Sequence, residues 1–372
     1  MRILFLAPLR AHTGNSTTAL RIKSHLEAAG HECDLRDAST LESPLEVARL
    51  ISQKKFDAGL VIHLYKAGKL LLGNGIPFGA VFGGTDINED VKNEEKYRVM
   101  GAVLEDARFA VAFTNDIKEI AAKHWPQAIY KIHIQPQGIM TKPNVLFNCE
   151  DFLQNAGIQQ ISEHLHIFIL ICGLRRVKDP LFLVDTFAGH RIQRLLFYTA
   201  TEWMILILVN QKNTDRPEWH KREPTVHLAI IGPMVDPLFT NEVKAKLSNL
   251  DGVHLIEEIP QADLQAVIKK SFAVVNSSVS EGMSAAILEA MDLEIPVLAR
   301  DIPGNSAIIK HEHTGLLFST PKEFVQMSVR LMKEPDLKRK IIHSAKQYVC
   351  TNHSWELERE TYQKLVRKLT EL

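Results

Sequence analysis

Two glutamates, Glu281 and Glu289, bracket the start of an apolar helix with seven residues between them. The run Phe272-Ala273-Val274-Val275 before them reads as a buried parallel strand, and Ser277-Ser278-Val279-Ser280 reads as the loop that leaves it. Ser284 stands where the cap of the following helix belongs. Glu289 lies among Ile287, Leu288, Ala290 and Met291. Its carboxylate must therefore be paired, hydrogen-bonded or shifted in pKa, because a lone buried charge is very costly. A loop of small residues entering a helix offers free N–H groups and the positive end of the helix dipole, which suits phosphate or sugar oxygens. A carboxylate accepts two hydrogen bonds at once, which suits the vicinal hydroxyls of a ribose or hexose. A capped helix with one surface glutamate and one paired glutamate fits the same residues.

A second group, Gly173-Leu174-Arg175-Arg176-Val177-Lys178-Asp179-Pro180, follows the apolar run at 166–171. Arg175, Arg176 and Lys178 sit at the carboxyl end of that expected strand, where they would stabilise a diphosphate and the charge that grows on it as it leaves. A solvated basic loop is the plainer alternative. A third group, in the first half, comprises His12-Thr13-Gly14-Asn15, His63 and Phe82-Gly83-Gly84-Thr85-Asp86, all at or just past expected strand ends. Gly83-Gly84 permits close backbone approach to a ligand. Asp86 or His63 could hold a hydroxyl or act as a base, although a lone His or Asp is more often structural. Neither GxGxxG after the first strand nor GxxxxGK followed by Ser or Thr occurs, so dinucleotide oxidoreductase and P-loop readings lose their main support.

These residues need a scaffold. Strand-like runs at 2–7, 32–35, 58–64, 78–82, 109–113 and 131–134 alternate with amphipathic segments such as 17–29. In that segment Ala19, Ile22 and Leu26 share a face, and Gly30 follows as a C-cap. The alternation predicts an α/β fold with a parallel sheet covered on both sides. Gln135-Pro136-Gln137-Gly138 closes this half, residues 140–163 read as polar linker, and strands are expected again at 166–171, 226–231, 253–256, 272–275 and 296–299. The expected division is an N-terminal domain at 1–150, a linker at 151–165 and a C-terminal domain at 166–349. A C-terminal helix within 350–372, carrying Trp355, Tyr362, Leu365 and Leu369, is expected to pack back toward the first domain. Two such domains leave a cleft at the carboxyl ends of their strands. One segment breaks the rhythm. After an expected helix at 180–188, residues 189–217 make an unusually long connection, read as an atypical insertion lying outside the core. Its apolar run, Leu195 to Val209, is too short for a membrane span and contains Glu202.

Composition sets wider bounds. With 372 residues, 45% hydrophobic and 24% charged, the chain suits two soluble globular domains. Lys plus Arg and Asp plus Glu are both 44, and this balance argues against nucleic acid or an anionic membrane surface as partner. Cys33, Cys149, Cys172 and Cys350 form no CxxC pair, so a reduced, cytoplasmic protein without a zinc site is expected. The apolar N-terminus lacks a small-residue cleavage site and reads as a first strand rather than a signal peptide.

Glu281-x7-Glu289, preceded by Val274-Val275-Asn276-Ser277-Ser278, resembles the donor-site signature of retaining family-4 (group 1) glycosyltransferases with the GT-B fold. Ile295-Pro296-Val297-Leu298-Ala299, Pro303-Gly304-Asn305 and Thr314-Gly315-Leu316-Leu317-Phe318 continue that family's pattern in order. The resemblance covers the chain apart from the insertion. It implies two Rossmann-like domains, a nucleotide-sugar donor on the second, an acceptor on the first, and a metal-independent reaction that keeps the anomeric configuration. It further implies that Glu289 binds ribose hydroxyls, that Glu281 faces the donor sugar, and that backbone groups of Gly282, Met283 and Ser284 lie near sugar and phosphate. Lys178 matches the phosphate lysine, with Arg175 or Arg176 as helper, and Gly14 matches a small-residue loop near the donor phosphates. The family usually has arginine just after the glycine of this strand end, where Gly173 stands here. His12, His63, Thr85 and Asp86 are possible acceptor or sugar contacts. The implied function is transfer of a hexose or N-acetylhexosamine from a nucleoside-diphosphate sugar, with UDP expected first, and with no cofactor, metal, nucleic acid or transmembrane segment. A catalytically silent nucleotide-sugar-binding protein of the same fold is the alternative. A glycosidase using Glu281 and Glu289 fails on architecture, since both carboxylates belong to one β-loop-α unit.

Overall fold

Parallel strands are buried on both faces and need apolar side chains on each, and the chain supplies two such sets. The computed structural model describes residues 1–10, 14–158, 165–190, 219–248 and 250–370. In the N-terminal half, β1 (Arg2–Ala7), β2 (Glu32–Asp37), β3 (Ala58–Ile62), β4 (Phe78–Val81), β5 (Phe109–Ala112) and β6 (Ile132–Ile134) form a parallel sheet. Their order is β2-β1-β3-β4-β5-β6. The C-terminal half contributes β7 (His166–Ile171), β8 (Gly189–His190), β9 (Val226–Ile231), β10 (Leu250–Asp251), β11 (Val253–Ile256), β12 (Ala273–Asn276), β13 (Val297–Arg300) and β14 (Leu316–Phe318). Six of these form a second parallel sheet ordered β11-β9-β7-β12-β13-β14, while β8 and β10 pair antiparallel.

Each strand order reverses once, between β1 and β3 in the first sheet and between β7 and β12 in the second. Open α/β sheets bind ligands at such switch points, outside the carboxyl ends of the strands. The loops after β1, β3, β7 and β12 are therefore the ones placed for chemistry. These are the loops that lead to Gly14, His63, Lys178 and Glu281.

Separate cores hold the sheets. Phe5, Phe78, Phe82 and Phe109 are fully buried in the first. Phe168, Phe187 and Phe324 meet edge-on or tilted at 5.6 Å on one side of the second, and Leu288 and Met291 cover its other side. Aromatic pairs in these geometries add to the stabilisation that burial gives. The helix Trp355–Arg367 packs on the helix Gly14–Glu27 and sends Tyr362, Leu365 and Val366 into the first core. Between these helices Glu358 is buried, and it accepts from Arg21 Nε at 2.7 Å and His25 Nε2 at 2.9 Å. Such a buried charge is tolerable only with partners of this kind.

Two stretches depart from the pattern expected of them. Within residues 140–163 the chain forms a helix, Cys149–Asn155, because Asn148 caps it by accepting from the N–H groups of Glu150 and Asp151. The helix expected at 180–188 shortens to Val184–Phe187, since Asp179 is left-handed (φ 42°) and residues 180–183 turn before it. Beyond His190 the long connection lies outside the described residues. Among the described residues no helix is long and apolar enough to cross a membrane.

Candidate active site

The loops that leave β7 and β12 are stitched together main chain to main chain. Val279 N donates to Val177 O at 2.9 Å, and Ser277 Oγ donates to the carbonyls of Lys178 and Asp179 at 3.1 and 2.9 Å. The Asp179 carboxylate pairs with Arg300, at the end of β13, at 2.9 Å. Arg300 also donates to Ser277 O and lies 4.0 Å over the Phe182 ring. Held this way, Lys178 Nζ meets Glu281 Oε1 in an ion pair with little exposure on either side. Ser278 Oγ at 2.7 Å and Asn276 Nδ2 at 3.2 Å donate to the same oxygen. Burial pushes the Glu281 carboxyl up, but the Lys178 charge and the hydrogen bonds from Lys178, Ser278 and Asn276 outweigh it and hold the group below its ordinary value.

Glu289 lies one helical stretch further on, in the helix Ala285–Asp292, and is 8% exposed. Gln261 Nε2 donates to it at 2.6 Å. Burial dominates, and the carboxyl is pushed up to about 7 even though Gln265, Arg21 and Gln261 act against the rise. One β-loop-α unit thus carries a carboxyl held below its ordinary value and another pushed well above it. Ser284 occupies the cap position without a side-chain bond to the helix, and its Oγ accepts from Asn276 Nδ2 at 3.3 Å.

The two arginines part company. Arg176 pairs with Glu242 at 2.7 Å and lies over Phe239, so it is committed to the helix Pro237–Leu247. Arg175 is exposed and has no ion-pair partner among the described residues. At Gly173 a Cβ would come 2.7 Å from Val235 Cγ2. A larger residue there requires the Val235 side chain to move.

Across the cleft the glycine loop of the first half comes directly against Glu281's neighbour. A Cβ on Gly282 would lie 3.2 Å from Gly84 Cα, and Met283 packs against both cores. Two glycines let the backbones of the two halves approach this closely. Arg10 donates to the carbonyls of Met234 and Val235 at 2.6 and 3.1 Å, a second bridge between halves.

Asp86 and His63 turn inward rather than to the cleft. Asp86 is wholly buried, and it accepts from Leu64 N at 2.9 Å, Gly83 N at 2.8 Å and Tyr65 N at 3.4 Å. His63 has a positive φ of 75°, with Asn15 at 3.0 Å from Nε2 and Thr85 Oγ1 at 3.1 Å from Nδ1. Its ring lies so close to Gly83 that a Cβ there would sit 2.0 Å from it. Gly14 is the first residue of the helix Gly14–Glu27, exposed at its N-terminal end with open space around it. His12 lies outside the described residues.

The structure therefore gathers Lys178, Glu281, Gly282, Met283 and Ser284 around one switch point, with Arg175 on the same loop. It commits Arg176, His63, Thr85 and Asp86 to partners within the protein. The supports Asn276, Ser278, Arg300 and Asn305 are not assigned from sequence, although Asn276 and Ser278 lie inside the glutamate motif and Asn305 beside Gly304. Gly304 is forced by contact, since a Cβ there would be 2.1 Å from Glu281 O. Arg10 carries no local signal, because its partners are 224 and 225 residues away.

The family model for glycosyl transferases group 1 matches residues 214–348. Glycosyltransferase 1 domain-containing protein 1 of Xenopus tropicalis is 69% identical over 369 residues, covering 99% of this chain and 98% of its own. Among solved structures, Anabaena HepE in complex with UDP-glucose superposes with a TM-score of 0.72 at 13% identity, over 99% of each chain. Sucrose-phosphate synthase from Thermosynechococcus elongatus gives 0.71 at 14% identity, again over 99% of each. Identities this low speak for the fold alone, and the fold is GT-B, two Rossmann-like halves with parallel sheets. With a relative matched from end to end, the chain belongs to the glycosyltransferase 1 domain-containing protein 1 family of the group 1 glycosyltransferases.

Proposed function

We propose that this protein is a retaining glycosyltransferase that moves a hexose or N-acetylhexosamine from a UDP-sugar to an acceptor. The observation that carries the reading is the Lys178–Glu281 pair at the β7/β12 switch point, one short loop from the semi-neutral Glu289. Lys178 Nζ and Arg175 meet the diphosphate, and the N–H groups entering the helix Ala285–Asp292 add the positive end of its dipole. These groups stabilise the charge that develops as the sugar–diphosphate bond breaks. A metal ion is not needed for that step. Glu289 accepts the ribose hydroxyls, and Glu281 accepts from the donor sugar. The acceptor oxygen bonds to the anomeric carbon from the side on which the diphosphate leaves, and its proton passes to the departing phosphate oxygen. The HepE structure, which holds UDP-glucose, supports UDP as the nucleotide.

A second reading, a silent nucleotide-sugar-binding protein, draws on Gly173, which stands where the family usually has arginine and where a larger residue would press on Val235. A thermal-shift panel of UDP-, GDP- and ADP-sugars followed by turnover of the stabilising donor separates the two. Stabilisation by a UDP-sugar together with turnover that Glu281→Ala abolishes is the expected result. Binding without turnover or hydrolysis, unchanged by Glu281→Ala, favours the silent protein. No binding at all overturns both.

A further inference from the structure

Behind Glu281 runs a chain of two amides whose orientation the main chain dictates. Arg300 O, which can only accept, lies 2.9 Å from Asn305 Nδ2. The same nitrogen lies 3.1 Å from the Asn276 side chain, so the atom of Asn276 that faces it is the oxygen. Ser278 N fixes that choice independently by donating to Asn276 Oδ1 at 3.1 Å. Asn276 Nδ2 is thereby turned to Glu281 Oε1 at 3.2 Å and Ser284 Oγ at 3.3 Å.

Asn305 is wholly buried, and its Oδ1 has no hydrogen-bond partner among the described residues. Leaving a buried oxygen without a partner costs stability. The placement of Asn305 is equally constrained. It follows Gly304, which presses against the Glu281 carbonyl, and it lies in the short helix Pro303–Ser306 just after β13, the strand that also supplies Arg300. All three described side-chain donors to Glu281 end on Oε1, so this chain selects which carboxylate oxygen is bound within the protein.

We propose that Asn305 is a positioning residue of the donor site, which acts through Asn276 to hold Glu281 with Oε1 turned inward and Oε2 left for the donor sugar. The clause about the sugar rests on the glycosyltransferase reading above, whereas the hold on Glu281 does not. The charged group facing Glu281 is Lys178, with the Asp179–Arg300 pair beyond it, and Asn276, Ser278 and Ser284 are neutral donors or bridges. Removing Asn305 leaves the Ser278 N–H as the one group still holding Asn276 Oδ1, which loosens the amide and weakens its donation to the ionised carboxylate.

The test is a pH titration of Glu281 followed by NMR, in full-length protein labelled with 13C at the glutamate side-chain carboxyls. The Glu281 resonance is assigned as the one that Glu281→Gln removes. Asn305→Ala is expected to raise its midpoint by about half a pH unit or more, with Asn305→Ser as a second variant should the alanine form fold poorly. A merely structural Asn305 would lower the melting temperature and leave the midpoint in place, which would overturn the proposal. Calorimetry with UDP and with UDP-glucose completes the test. The variant is expected to weaken UDP-glucose at least about threefold while UDP binds as before. A wild-type protein that binds neither removes the donor-site reading, but a shifted Glu281 midpoint still upholds the hold exerted by Asn305. Equal weakening of both ligands overturns the clause about the sugar.

Discussion

Asp86, wholly buried, and Glu281, of small exposure, are both carboxylates just past the end of a parallel strand at a cleft, and they are put to opposite uses. Asp86 receives Leu64 and Gly83 N–H groups on Oδ2 and Tyr65 N on Oδ1, with the His63 ring 3.5 Å from Oδ1, so both oxygens are spent on tying its own loop to the loop after β3. Glu281 receives Lys178, Ser278 and Asn276 on Oε1 alone. A carboxylate satisfied on both oxygens by main-chain donors is an anchor for the fold. One satisfied on a single oxygen, by side chains, keeps acceptor capacity for a ligand. The residue type does not distinguish the two; the distribution of donors does.

Four experiments break or sharpen this contrast, taken from the largest expected effect to the smallest. Glu281→Ala should lower turnover of a UDP-sugar by about a hundredfold or more, with a loss of stability smaller than that of Asp86→Ala because Lys178 keeps some exposure, as read by single-turnover kinetics and calorimetry. Asp86→Ala should do the reverse. It strands buried N–H groups at a cost on the order of 3 kcal/mol in denaturant unfolding, and it reaches activity only through the disordered loop. Arg175→Ala should raise the KM for the donor about tenfold, because its charge is uncommitted, whereas Arg176→Ala should change it less than about twofold. UDP binding should release about half a proton at pH 7, and almost none at pH 9, by calorimetry in buffers of different ionisation enthalpy. The sign follows from Glu289, which is pushed up to about 7 when free and is drawn to its ionised form by ribose hydroxyls that donate to it. Proton uptake on binding would remove Glu289 from the ribose.

Much of the scaffold was legible in the sequence for a plain reason. β7, β9 and β11 coincide with the expected 166–171, 226–231 and 253–256, because a strand buried on both faces is a continuous apolar run. β2 runs on past 35 to Asp37, where its partly exposed residues break that pattern. The helix Cys149–Asn155 is short and polar, and only the Asn148 cap betrays it. The glutamate loop and the basic loop were legible as separate motifs, and the family pattern joined them. Their contact was not, since it depends on β12 pairing beside β7, and strand order is a tertiary property. The inward turn of His63 and Asp86 was hidden for the same reason. A Gly-Gly-Thr-Asp loop at a strand end reads alike whether its carboxylate faces the ligand or the backbone.

The most direct single measurement is consumption of UDP-glucose by Glu281→Gln, an isosteric change, recorded beside the variant's affinity for UDP. The expected result is turnover below about one hundredth of the wild-type rate with UDP bound as tightly as before. Wild-type turnover in a variant that binds UDP normally would contradict the placing of Glu281 at the donor sugar.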